Sequence, residues 1–266
     1  MLNQRNDALE HGQVFTFFST SSAVGKTVLA INFAADLSER GYKVCVADFD
    51  LQFGDVCNYL MLTPTQTLYD YSVMNETARD AAVFVTPTQF GFDVLAAPKE
   101  LDEAYIMNED IINQAVEQLR DMYDYVILDT TTGFSAINLA ILEHTDVLYL
   151  PCVVDFIPSI KNLKIGLDTL HKLQFDWQRM RIILNRNKAE TQISAKDVEA
   201  LLGRPFQYFV GNDYKGVMAS IREGKPIVLT DKESKLADEI SNIISSELGE
   251  KEESGGLSKW FSSLWK

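Results

Sequence analysis

Residues 19–27 read Ser-Thr-Ser-Ser-Ala-Val-Gly-Lys-Thr. They set an amine and a hydroxyl directly behind a run of small side chains. Small side chains let backbone N–H groups curl around an anion, and a helix beginning at the same point aims its positive end at that anion. In such a loop Ser22, Ala23, Val24, Gly25, Lys26, Thr27 and Val28 would surround phosphates. Lys26 would reach the β- and γ-phosphates, and the Thr27 hydroxyl would ligate Mg²⁺. The strict spacing G-x-x-x-x-G-K-[ST] is not met, because Thr20 stands at its first glycine. The surroundings supply what the three letters Gly-Lys-Thr lack: an apolar run, Val14 to Phe18, precedes them, and a helical pattern from Val28 follows.

Three acids close apolar runs further along. Asp48 and Asp50 end the run Lys43 to Ala47, and Asp129 ends Tyr-Val-Ile-Leu-Asp, residues 125–129. An acid ending a buried strand beside a phosphate loop is placed to hold Mg²⁺, which is the expectation for Asp129. Asp50 is placed to orient an attacking water, and Asp48 to support the metal shell.

The elements that must position these residues alternate. Strands are expected at 13–18, 43–47, 91–97, 125–129, 145–152, 180–184 and 206–210. Helices are expected at 27–40, 66–85, 108–122, 158–173, 194–202, 215–222 and 231–247. Strands separated by helices of ten or more residues predict an α/β fold, a doubly wound, mostly parallel sheet with helices on both faces. Ligands of such sheets bind beyond the carboxyl ends of the strands. The phosphate loop, the three acids and Asn185 all fall there. Residues 1–12 read as a flexible leader, 13–247 as one P-loop domain and 248–256 as a flexible acidic and Gly-containing linker.

Composition narrows the class. The chain has 266 residues, 46 % of them hydrophobic, and a net charge of −14. Such an acidic body is a poor nonspecific nucleic-acid binder, and no sequence-specific nucleic acid is expected as a partner. Cys45, Cys57 and Cys152 are scattered in apolar contexts and read as buried thiols of a reducing compartment. They share no metal-ligand spacing with His11, His144 and His171. No apolar signal core opens the chain and no run approaches a membrane span, so the cytoplasm is the expected compartment.

The last ten residues stand apart. At ~100° per residue, Leu257, Trp260, Phe261, Leu264 and Trp265 share an arc of about 140°, with serines and lysines opposite. A Trp-, Phe- and Leu-faced helix behind a flexible linker is built to lie on a membrane surface, with docking on a partner or on its own body as the alternative.

In order, these segments resemble the MinD/ParA group of deviant P-loop ATPases, and within it the CpaE/TadZ pilus-assembly localisation proteins. The matching pieces are AVGKT (23–27), ADFDLQFGDV (47–56), DYVILDTTTG (124–133), VVDFIPSIKNLK (153–164), ILNR (183–186) and residues 210–229. The resemblance implies ATP or ADP and Mg²⁺ as cofactors, Asp50 as a switch acid and Asp129 as the Walker B acid. It implies Asn185, with Arg186 beside it, as the residue that meets adenine, and Gly211 in a loop near the base. It implies dimerisation on ATP binding, association with the inner face of the cell membrane through the C-terminal helix, and pilus or secretion assembly proteins as partners. The group usually reads Lys-Gly-Gly-x-Gly-Lys-Thr, and this chain has Ser21 at the first lysine. Two further readings stay open: a scaffold that holds ATP with little or no hydrolysis, and a flagellar or division-site regulator of the same group.

Overall fold

A computed structural model describes residues 11–154, 157–187 and 193–250. Its frame is a single eight-stranded sheet of order β3-β4-β2-β5-β1-β6-β7-β8. The strands are β1 (Gln13–Ser19), β2 (Val44–Phe49), β3 (Val85–Pro87), β4 (Asp93–Leu95), β5 (Tyr125–Thr132), β6 (Val147–Cys152), β7 (Met180–Asn187) and β8 (Tyr208–Gly211). All pairings are parallel except β3 with β4, an antiparallel edge.

The strands are apolar on both sides, so both faces need cover. Phe15 and Phe17 of β1, Val44 and Val46 of β2, and Tyr125 and Ile127 of β5 share one core with α1 (Lys26–Glu39), α10 (Ile227–Thr230) and α11 (Lys235–Glu247). The alternate residues Val14, Cys45, Ala47, Val126 and Leu128 pack under α3 (Leu68–Val73) and α5 (Glu109–Met122). On the β6–β7 side, Leu148, Leu150, Ile182 and Leu184 pack under α7 (Ile157–Lys172) and α8 (Ala195–Leu202). The doubly wound fold expected from the alternation is the one observed. Two short helices, α2 (Val56–Leu60) and α4 (Leu101–Ala104), follow β2 and β4, and α9 (Tyr214–Glu223) follows β8.

The departures from the expected elements are local. Residues 66–85 do not form one helix: after α3 come two single 3₁₀ turns, Glu76–Ala78 and Ala81–Val83, and then β3. Asn75 and Asp80 cap those turns with their side chains, so their carboxamide and carboxylate compete with a continuing helix. A helix absent from the sequence expectation, α6 (Ala136–His144), opens at Ser135, whose Oγ accepts from the Asn138 N–H. It is apolar on nearly every side, so no helical period marks it. β5 runs three residues past Asp129, to Thr132. The expected C-terminal helix, with Leu257, Trp260, Phe261, Leu264 and Trp265, lies outside the described residues, as does nearly all of the leader.

Candidate functional site

Register brings the site together. Phe17 of β1 and Asp48 of β2 both pair with Asp129 of the central strand β5, and Ser19 pairs with Thr132. The chain therefore leaves β1 beside Asp129, crosses the edge as residues 20–25, and enters α1. Ala23 and Gly25 take left-handed backbone, at φ 58° and 92°. At Gly25 a Cβ would stand 2.5 Å from Asn185 Nδ2, so both the conformation and the space require glycine. Several helices here are N-capped by side chains: α5 by Asn108, α8 by Ser194, α9 by Asp213 and α11 by Ser234. Gly25 offers α1 no side-chain cap, and no acid lies in its first turn. Its leading N–H groups point to an acceptor from outside the chain.

Lys26 and Thr27 sit at the head of α1. The Lys26 ammonium donates to Ser19 Oγ at 3.1 Å and to Thr132 Oγ1 at 3.4 Å. Burial lowers its pKa, while the charges of Asp129 and Asp50 support the ammonium. Thr27 Oγ1 donates to Asp129 Oδ2 at 2.5 Å. Asp129 is 1 % exposed, and its other oxygen, Oδ1, is buried without a partner. Burial pushes its pKa up to about 7, against the Thr27 hydrogen bond and the Lys26 charge; Asp50 and Asp55 push it further up. A buried carboxylate with one oxygen on a threonine and the other without a protein partner suits a cation. Among the described residues no group of three or more His, Cys, Asp or Glu side chains could hold a metal. Mg²⁺ needs no such cage: it keeps waters and is bound through one or two protein oxygens plus phosphate. Thr27 and Asp129 fit that donor set.

The other two acids differ from each other. Asp48 is 2 % exposed and spends both oxygens on backbone, accepting from the Asp50 and Val56 N–H groups at 3.1 Å each. Its pKa is pushed well up, first by burial and then by the Asp129 charge. Instead of facing a metal, it clasps the loop 50–55, and Gly54 closes over it so tightly that a Cβ there would meet Asp48 Oδ2 at 2.6 Å. Asp50 is half-buried on the open side. Burial raises its pKa; the nearby Phe53 N–H, the Lys26 charge and the Thr131 hydroxyl oppose that, and the Asp55 charge adds to the rise. Asp50 is thus the acid free to meet a ligand.

Beside the loop lies a hollow of about 120 Å³ whose walls include Gly25, Val28, Asn185, Arg186, Gly211 and Tyr214. The residues expected near a base thus come together. Asn185 is committed within them: its Nδ2 donates to the Val24 carbonyl at 2.7 Å, and its Oδ1 accepts from the Arg186 N–H at 2.9 Å. It ties β7 to the phosphate loop and turns Arg186 into left-handed backbone, φ 53°. Gly211 donates its N–H to Glu239 Oε2 at 2.6 Å. Tyr214 and Met218 of α9, which also line the hollow, lack a sequence signal of their own. Ser22 and Ala23 are exposed at the loop tip. Ser21 receives a long hydrogen bond from Asn162 Nδ2, 3.4 Å, and its carbonyl accepts from Ser19 Oγ.

A strand, a small-residue loop, Gly-Lys-Thr and a buried acid on the adjacent strand end define a P-loop nucleotide triphosphatase. A family profile for an AAA domain, AAA_31, matches residues 12–174, and the chain belongs to that family. Its relatives make it a MinD/ParA-type P-loop ATPase. The sporulation initiation inhibitor protein Soj of Bacillus subtilis is 25 % identical over 247 residues, 85 % of this chain and 94 % of Soj. The cell division protein PomZ of Myxococcus xanthus is 25 % identical over 252 residues, 86 % of this chain and 76 % of PomZ. The fold matches that of a ParA family ATPase from Chlorobium tepidum, TM-score 0.80 at 24 % identity, covering 87 % of this chain and 98 % of that one. It also matches the septum site-determining protein MinD of Pyrococcus horikoshii complexed with Mg-ADP, TM-score 0.77 at 19 % identity, covering 89 % and 96 %.

Proposed function

We propose that this chain binds Mg-ATP, hydrolyses it slowly, and uses the nucleotide state to dimerise and to hold its C-terminal helix on a membrane, where it positions a pilus or secretion machine. The observation that carries the nucleotide reading is the Thr27–Asp129 pair with its unpartnered buried oxygen, set at the foot of a helix without an N-terminal side-chain cap. Mg²⁺ would be held by Thr27 and Asp129, and it would supply charge neutralisation at the phosphates. Lys26 binds the terminal phosphates, Gly25 and the N–H groups of α1 cradle them, and Asp50 orients water. The hollow beside Gly25 and Asn185 accepts the base. Nearness to the CpaE/TadZ proteins rests on the LQFGD and DFIPSIKNLK segments, and the membrane reading rests on the apolar arc of residues 257–266. One such helix binds weakly, and two in a dimer add avidity.

Ser21 supports a second reading, an ATP-holding scaffold with little turnover, because no lysine occupies that position. Liposome co-sedimentation of the full chain and of a chain lacking 257–266, in ADP, ATP and a non-hydrolysable analogue, separates the readings when phosphate release is followed in the same samples. ATP-dependent, tail-dependent sedimentation with slow release is the expected result. Sedimentation indifferent to nucleotide, without release, would establish the scaffold instead. Sedimentation unchanged by tail deletion would remove the membrane role of the helix.

A further inference from the structure

The helix α9 has two faces of different character. Its inner face packs Val217 and Ile221 against the core, and Ser220 Oγ is hydrogen-bonded there to the Tyr59 hydroxyl of α2. Its outer face carries Tyr214, Lys215, Met218, Ala219 and Arg222, all exposed. These five residues line an open hollow of about 330 Å³. Tyr214 and Met218 also wall the hollow beside Gly25, whereas Lys215, Ala219 and Arg222 do not. The outer hollow is thus a surface of its own that meets the first along two side chains.

Its charge runs against that of the body. The chain carries −14, yet among the described residues neither Lys215 nor Arg222 has an ion pair or a side-chain hydrogen bond. The acids next to them on the chain are engaged. Asp213 accepts from the Gly216 N–H at 2.9 Å and caps α9, and Glu223 lies 3.8 Å from Lys225. Along the helix the two cations stand about 10 Å apart at 1.5 Å per residue. Between them Ala219 leaves a dip beside the row Tyr214, Met218 and Arg222, whose side chains recur every fourth residue. A dip beside such a row is the groove into which a second helix lays a ridge.

We propose that the outer face of α9 docks an acidic amphipathic helix of a partner protein. That helix seats one large apolar side chain over Ala219, against Tyr214 and Met218, and sets carboxylates opposite Lys215 and Arg222. Three other occupants match the face less well. Nucleic acid draws its affinity from many phosphate contacts, and two cations on a body of −14 supply few. This chain's own residues 257–266 carry Lys259 and Lys266 and no acid, so they repel the face. A second copy meeting it across a two-fold axis would set Lys215 and Arg222 against their own counterparts. The docking stands whether or not the chain hydrolyses ATP.

The test uses Ala219, Lys215 and Arg222, which lie outside the hollow beside Gly25. A benzophenone amino acid replaces Ala219 in the full chain, in cells that carry the native gene, and after irradiation the adduct is mapped by mass spectrometry. The mapped segment, as a synthetic peptide, is then titrated against the purified full chain by fluorescence anisotropy. The expected adduct lies on another protein, in a segment with apolar residues at helical spacing and Asp or Glu on their flanks. Lys215→Glu and Arg222→Glu should each weaken the peptide about tenfold, and a lysine in place of the facing carboxylate of the peptide should restore its binding to the matching variant. A thermal melt shows whether each variant folds; Lys215→Gln and Arg222→Gln, expected to weaken the peptide about threefold, decide the matter if a charge reversal does not fold. An adduct on nucleic acid, on residues 257–266 or on a second copy overturns the inference. So does the lack of any adduct, or a peptide whose affinity ignores both charge reversals.

Discussion

Asp129 should destabilise the protein it serves, and that can be measured. Its carboxyl is ordinarily half-ionised at 3.8 and is pushed up to about 7 here, chiefly by burial. For an acid raised in the folded state, the native protein binds more protons than the unfolded chain between those two values. Stability is therefore fully present below 3.8, falls as pH rises through the interval, and is lowest above 7. At 1.36 kcal/mol per pKa unit, the full penalty at and above pH 8 is about 4 kcal/mol, of which about 2 to 3 kcal/mol develops between pH 5 and pH 8. Asp129→Asn removes the titration. Asparagine can still accept from Thr27, but its amide placed at the unpartnered Oδ1 site would cost about 1–3 kcal/mol as an unsatisfied donor. That offset is independent of pH. Asp48, raised partly by the Asp129 charge, ionises more easily in the variant, which acts in the same direction. Urea denaturation without nucleotide, at pH 5 and pH 8, should show the variant gaining on the parent by about 2 to 3 kcal/mol between them. At pH 8 the variant should equal or exceed the parent in stability while losing Mg²⁺-dependent nucleotide binding. A variant-minus-parent difference that stays flat across this range would refute the picture of a carboxyl whose ionisation is opposed by burial.

Two further perturbations follow from the same geometry. Gly25→Ala places a methyl group against Asn185 Nδ2 on left-handed backbone; it should abolish nucleotide binding in an analogue titration and lower stability by about 1–3 kcal/mol. Glu247 at the end of α11 takes Arg181 Nε at 2.6 Å and the Tyr208 hydroxyl at 2.6 Å, with its side chain 7 % exposed. Glu247→Ala should cost about 1–3 kcal/mol in urea denaturation, because a partly buried guanidinium loses its partner, and Glu247→Gln should recover part of that.

What could be read from the chain alone was what depends on neighbours in sequence. Gly25, Lys26 and Thr27 follow a β-rich apolar run and open a helical pattern, so loop and helix were legible without any contact. Asp48, Asp50 and Asp129 were legible as acids at strand ends because buried parallel strands are continuous apolar runs that stop abruptly. The sheet class followed from alternation. What depends on register was not legible. Asp48 and Asp129 are paired neighbours on adjacent strands, yet one is saturated by backbone amides and the other keeps a bare oxygen. Composition treats them as the same residue; only the path of the loop 50–55 separates them. Asn185 looked like a group reserved for a base, and the fold also spends it on the Val24 carbonyl, a bond across 161 residues of chain. Thr132 meets Lys26 across 106 residues, and Asn138 holds the carbonyls of Thr131 and Gly133 on either side of it from a helix without an amphipathic period. Sequence determined which groups stand at the sheet's edge, because local pattern sets strand and helix ends. Tertiary structure decided which of those groups still have an oxygen or a proton to offer, because hydrogen bonds are saturated only when distant segments meet.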